Sequence, residues 1–121
     1  MDMNSTLTQE QHRAAERMAA ALQPVQDQLS LAHLVSLLTV ATHPGLSVNE
    51  LAERVGAPQA TASRYVSVLL GRYQGQGTPP PKPLIAQEIS PDDPRKRALF
   101  LSQDGQELVS QVVGARLGAM K

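Results

Sequence analysis

Residues 47–70 read SVNELAERVGAPQATASRYVSVLL, two short helical patterns divided by a glycine-containing turn. Ser47 predicts a helix N-cap, and Glu50, three residues on, completes a capping box. Leu51, Ala52 and Val55 then share one helical face. Gly56 suits the left-handed residue that ends a helix, and Pro58 is tolerated in the first turn of the next, where its missing N–H costs no bond. Ala62, Val66 and Leu69 repeat the apolar face at spacings of four and three. The stretch therefore predicts a helix-turn-helix.

On the second helix of this unit, Gln59, Ala60, Thr61, Ser63 and Arg64 fall away from the apolar stripe. Arginine pairs bidentately with guanine and glutamine with adenine, and small side chains let a helix approach phosphates closely, so this face suits a DNA major groove. A plain solvated face carries similar residues, and helix-turn-helix geometry also serves proteins that never touch DNA. Charge distribution bears on the choice. The chain is neutral overall, but residues 54–97 hold seven of its eleven basic residues (Arg54, Arg64, Arg72, Lys82, Arg95, Lys96 and Arg97) against three acids, a local charge of +4. A basic middle between neutral or acidic ends is the footprint of a nucleic-acid surface.

At 121 residues the chain predicts one domain with a modest core. It has no cysteine, which excludes disulfides and thiolate chemistry. Its N-terminus lacks the form of a signal peptide and no apolar run is long enough to span a bilayer, so a cytoplasmic location is expected. Tyr65, Tyr73 and Phe100 are the only aromatics, too few for the stacking platforms of single-strand and RNA readers. His12, His33 and His43 lie on separate segments with no paired carboxylates at ligand spacing. No catalytic residue, metal site or cofactor is expected. His33 reads as a partly buried polar residue, with the lining of a small-molecule effector pocket as its alternative.

In chain order, Thr8 and Gln11 offer a capping pair for a first helix to about Gln23, with Ala15, Met18, Ala19 and Leu22 on one side, before Pro24 interrupts it. Leu31, Leu34, Val35, Leu38 and Ala41 mark a second helix from about Ser30 to Thr42, ended by His43-Pro44-Gly45. After the helix-turn-helix, residues 71–83 are rich in glycine and proline and predict an exposed loop, with a PxxP ligand for another protein as the sharper alternative. Leu84 to Ile89 and Arg95 to Leu101 predict two strands around the turn chemistry of Pro91-Asp92-Asp93-Pro94. Ser102 then caps a last helix, whose apolar stripe is Leu108, Val109, Val112, Val113 and Leu117.

This order is that of a mainly α, winged helix-turn-helix domain with a small β-hairpin and flanking helices at both ends. The segments LSVNELAERVGAPQATASRYVSVLL and SPDDPRKRALFLSQDGQEL resemble the MarR family of transcription regulators. The family's recognition helix often reads small residue, Thr, apolar, Ser, Arg, matched here by Ala60, Thr61, Ala62, Ser63 and Arg64. Its wing often reads Asp-Pro-x-Asp-x-Arg, matched from Ser90 to Arg95, with Ser90 in place of the first Asp and Pro94 where arginine is usual. Leu101, Ser102 and Gly105 continue the match, which covers about residues 30–110.

The resemblance implies a homodimer with recognition helices in successive major grooves, half-sites roughly 34–36 Å apart. It also implies that Arg95 enters the minor groove or clamps a phosphate while Asp93 braces its guanidinium; a one-residue change of register would pass that role to Lys96 or Arg97. The candidate DNA-contacting set is Ser47, Pro58, Gln59, Ala60, Thr61, Ser63, Arg64, Arg72, Arg95, Lys96 and Arg97. Residues 1–29 and 102–121 are expected to dimerise, flanking a DNA-binding unit at 30–101 whose wing occupies 84–101. The expected function is a double-stranded-DNA-binding repressor. The alternatives are a winged-helix adaptor between proteins and an architectural DNA-binding factor of a plasmid or phage.

Overall fold

Hydroxyl side chains set most of the helix starts. In the computed structural model, which describes residues 6–72 and 82–114, helix α1 spans Gln9–Leu22. Thr8 accepts the Gln11 N–H at 3.0 Å, and the Gln11 side chain accepts the Thr8 N–H in return. Pro24 sits in a short 3₁₀ turn, Gln23–Val25, which interrupts the chain as expected. Ser30 caps α2, Leu31–Thr42. Ser47 and Glu50 form the capping box of α3, Val48–Val55, and Gly56 ends it at φ +73° in the left-handed region. Helix α4 spans Gln59–Leu69, strands β1 and β2 span Ile85–Ile89 and Arg97–Leu101, and α5 spans Gln103–Gly114. Ser102 caps α5 by accepting the Gly105 N–H at 3.0 Å. The expectations for residues 1–5, for the proline-rich stretch 73–81 and for Leu117 lie outside the described residues.

The strands form an antiparallel hairpin with Ile85 opposite Leu101 and Ile89 opposite Arg97. On its other side β2 receives the segment before α3: Gly45 N–H donates to the Leu99 carbonyl at 2.7 Å, and Leu99 N–H to the Leu46 carbonyl at 3.0 Å. β2 is therefore flanked on both edges, which is why adjacent Ala98 and Leu99 are both buried while β1 is mostly exposed. The core collects Leu37 and Val40 of α2, Leu51 of α3, Val66 and Leu69 of α4, and Ile85 and Leu99 of the hairpin, closed by Leu46.

Three expectations shift. The second strand begins at Arg97, not Arg95, because Asp93 takes the Arg95 N–H with its carboxylate at 3.0 Å and the Lys96 N–H with its carbonyl at 2.9 Å, drawing both residues into the turn. Pro58 stands at the N-cap of α4 in extended conformation (ψ 153°), one place before the first turn, and its carbonyl accepts the Ala62 N–H. Helix α2 buries Leu34, Ser36, Leu37 and Val40, whereas Leu31 and Val35 point outward, 74% and 43% exposed. Its sequence is apolar almost all round, so periodicity alone does not choose a face; packing against α3, α4, α5 and β2 does.

Helices α2 and α4 also meet at His33, whose ring lies edge-on to Tyr65 with centroids 5.2 Å apart. His33 Nδ1 is 2.6 Å from the Ser30 hydroxyl, which also accepts the His33 backbone N–H. Burial holds the imidazole pKa below its ordinary value. The unfolded chain therefore takes up a proton at this residue near the ordinary value of about 6.5, before the folded chain does. The contribution to stability is complete above that pH and is lost as pH falls through the lowered pKa. Unfolding followed by denaturant between about pH 5 and 7.5 should show this loss, and His33→Gln should flatten the profile. In the core, Leu99→Ala is expected to cost about 2–5 kcal/mol, since Leu99 is fully buried. Ser36→Ala should cost nothing or stabilise, because the Ser36 hydroxyl is buried without a hydrogen-bond partner; the same denaturation measurement separates the two variants.

Candidate nucleic-acid interface

Helix α4 turns Ala62, Val66 and Leu69 into the core, and this fixes what it shows outside. Gln59, Ala60, Ser63 and Arg64 are exposed, and Thr61 is half-buried beside them. The other described α-helices each begin with a hydroxyl on a first-turn N–H; α4 begins with Pro58, and no side chain caps it. The start of α4 thus keeps the partial positive charge of a helix N-terminus without an internal oxygen to neutralise it.

The wing tip is a set of nested turns. Ser90 N–H donates to the Lys96 carbonyl at 3.0 Å, and the Ser90 hydroxyl accepts the Asp92 N–H. Asp93 holds Arg95 twice, through the backbone N–H at 3.0 Å and through Nε at 3.5 Å. The Arg95 side chain is 91% exposed, so this pair adds little to stability. Its effect is directional: it braces the guanidinium while leaving it open to solvent. Lys96 and Arg97 are exposed next to it.

These two parts face each other across one open cleft. Ser47, Val48 and Asn49 at the start of α3 and Gln59 at the start of α4 form one side; Gln87 of β1 with Arg95, Lys96 and Arg97 forms the other. Of the sequence-predicted set, Ser47, Gln59, Arg95, Lys96 and Arg97 line this cleft, while Ala60, Thr61, Ser63 and Arg64 continue along α4. Pro58 is exposed at the head of the same helix. Arg72 is not brought in: it lies past the far end of α4, a helix of 11 residues and so about 16 Å long. The Ser47 hydroxyl is engaged as a cap, accepting the Glu50 N–H at 3.1 Å.

Sequence reading passed over Val48, Asn49 and Gln87. Asn49 had a signal, as an exposed amide in the first turn after a capping residue; Gln87 had little, because only the hairpin register aims it at α3 and α4. Glu50, like Asp93, adds an acidic group beside the cleft. Accepting the Ser47 backbone N–H at 2.8 Å holds its carboxyl below the usual range, with the Ser47 hydroxyl and the positive charges of Lys96 and Arg54 adding to the effect.

Comparison with known proteins agrees with this architecture. A family model described as the IclR helix-turn-helix domain matches residues 30–72. The chain is similar to the transcriptional repressor CouR in complex with a 23-mer DNA duplex, at 24% identity over 89% of this chain and 68% of that one, with a TM-score of 0.62. It is similar to MepR of S. aureus in complex with DNA, at 18% identity over 92% and 81% of the two chains and a TM-score of 0.63. It is likewise similar to MarR, at 22% identity over 86% and 66% and a TM-score of 0.57. Helix order, the flanked hairpin and these likenesses together give one conclusion: the chain has the winged helix-turn-helix fold of the MarR-type regulators.

Proposed function

We propose that this chain reads double-stranded DNA by sequence and acts as a homodimeric transcriptional repressor, with α4 in the major groove and the wing on the adjacent minor groove or phosphates. The observation that carries the reading is the cleft that sets Gln59 of α4 opposite Arg95, Lys96 and Arg97. Arg64 and Gln59 have the donor geometry for base edges, and Ala60, Thr61 and Ser63 are small enough to bring α4 close to the backbone. The exposed, braced Arg95 suits a narrow, electronegative minor groove. Ser47 and Pro58 act by placing the two helix starts, and Arg72 is left to a flanking phosphate. CouR and MepR, which share the fold, are both solved in complex with DNA, and this supports DNA as the partner.

Dimerisation is assigned to α1 and α5. Helix α1 buries none of its residues within the subunit, packs on α5, and leaves Met18 59% exposed beside Val113 at 53%. An apolar groove runs between the two helices. The unit 30–101 then serves as the DNA-binding part and the flanking segments 1–29 and 102–121 as the dimer part. The chemistry asked of the cleft is binding rather than catalysis.

Selection from a random duplex pool at near-physiological salt tests the reading. An enriched inverted repeat with half-site centres about one helical turn apart is expected; no enrichment by folded protein would refute it. Arg64→Ala should cost about 1–3 kcal/mol of binding and relax one base position. Arg95→Ala should weaken binding to all sites and lower the slope of log affinity against log salt by about one, as for the loss of one phosphate contact. An unchanged salt slope with a changed base preference would instead assign Arg95 to direct readout.

A further inference from the structure

We propose that the backbone of Leu84, clamped by Ser102 and Gly105, is the positioning point that sets the separation of the two α4 helices in a dimer and thereby selects the half-site spacing; this rests on the DNA-reading proposal above. Leu84 N–H donates to the Leu69 carbonyl at 2.7 Å, satisfying one of the orphan carbonyls at the end of α4. The Leu84 carbonyl accepts the Ser102 N–H at 3.0 Å, at the threshold of α5. The Ser102 hydroxyl donates to the Pro83 carbonyl at 2.7 Å while accepting the Gly105 N–H. Gly105 is buried, and a Cβ placed on it would lie 1.9 Å from the Leu84 carbonyl oxygen, so the first turn of α5 comes this close only with glycine at that position.

The last residue of the recognition helix and the first turn of the proposed dimer helix are thus joined through one residue, by main-chain bonds on both of its sides. The wing hairpin intervenes in sequence between Leu84 and Ser102 but not in space. Leu69 is fully buried and Leu84 packs against the same core, so the junction cannot swivel independently of either helix. A shift of α5 at Gly105 is passed to α4 without a flexible side chain to absorb it. Bivalent binding depends on simultaneous engagement of both half-sites, so a small rotation at this point is read as a change of preferred spacing.

The test uses the full chain on duplexes carrying two copies of the half-site selected by the wild type, separated by spacers varied one base pair at a time. Gly105→Ala is expected to remain dimeric by sedimentation and to bind a single half-site within about threefold of wild type, yet to lose about tenfold or more at the wild-type spacing, with the preferred spacing moved or flattened. Ser102→Ala should move the profile in the same way to a smaller extent and gives the readout if Gly105→Ala fails to fold. Ser102→Thr, which keeps the hydroxyl, should keep the wild-type profile. An unchanged spacing profile, with single-site and two-site affinities unaltered or falling in parallel, would overturn the proposal and leave the junction a purely structural contact. Failure of the wild type to select any half-site would instead bring down the DNA-reading proposal, and this one with it.

Discussion

The double pairing of β2 is the constraint on which the rest of the structure depends. Leu99 exchanges both of its main-chain bonds with Gly45 and Leu46, while its strand pairs on the opposite edge with β1. One strand thereby ties the wing to the segment that launches α3. Were β2 paired only in the hairpin, a two-stranded ribbon would have little stability of its own and its tip no fixed place. Because Leu99 is anchored to residues 45–46 and sealed in the core, the turn that follows β1 is held beside the starts of α3 and α4. The cleft is a consequence of that anchoring.

Electrostatics then acts on a frame already set by packing. The chain is neutral in total, yet three of its cations, Arg95, Lys96 and Arg97, are gathered where the wing meets the helix-turn-helix. Asp93 and Glu50, two acids beside this region, are both engaged in hydrogen bonds to backbone N–H groups. Each stabilises a turn or a helix start. Asp93 further holds Arg95 with its guanidinium open to solvent. Local charge, not net charge, is the quantity relevant to a polyelectrolyte partner.

The flanking helices follow a different logic. A domain of this size has limited interior, and the core is filled by α2, α3, α4 and the hairpin. Helix α1 contributes no buried residue and leans on α5, so its apolar side chains stay partly or fully open to solvent. Leu84 connects the start of α5 in that peripheral layer to the end of α4 through main-chain bonds, and Gly105 lets the two approach closely there.

Local chemistry was legible in the residues themselves. Thr8, Ser30, Ser47 and Ser102 announced helix starts because a capping hydroxyl acts within three residues of itself, and Gly56 announced a stop because it alone at that site tolerates a positive φ without cost. The exposed face of α4 was readable too, since Ala62, Val66 and Leu69 left only one side for Gln59, Ser63 and Arg64. What depended on partners distant in the chain was not. Helix α2 is apolar on most sides, so only its neighbours decided that Leu37 is buried and Leu31 exposed. Gln87 entered the cleft, and Arg72 stayed out of it, through strand register and helix length. The start of β2 moved to Arg97 because Asp93 captured the Arg95 N–H before the ladder did. Sequence determined the caps, turns and charge that act over a few residues; tertiary structure alone decided which faces met, because that choice is made by packing between segments tens of residues apart.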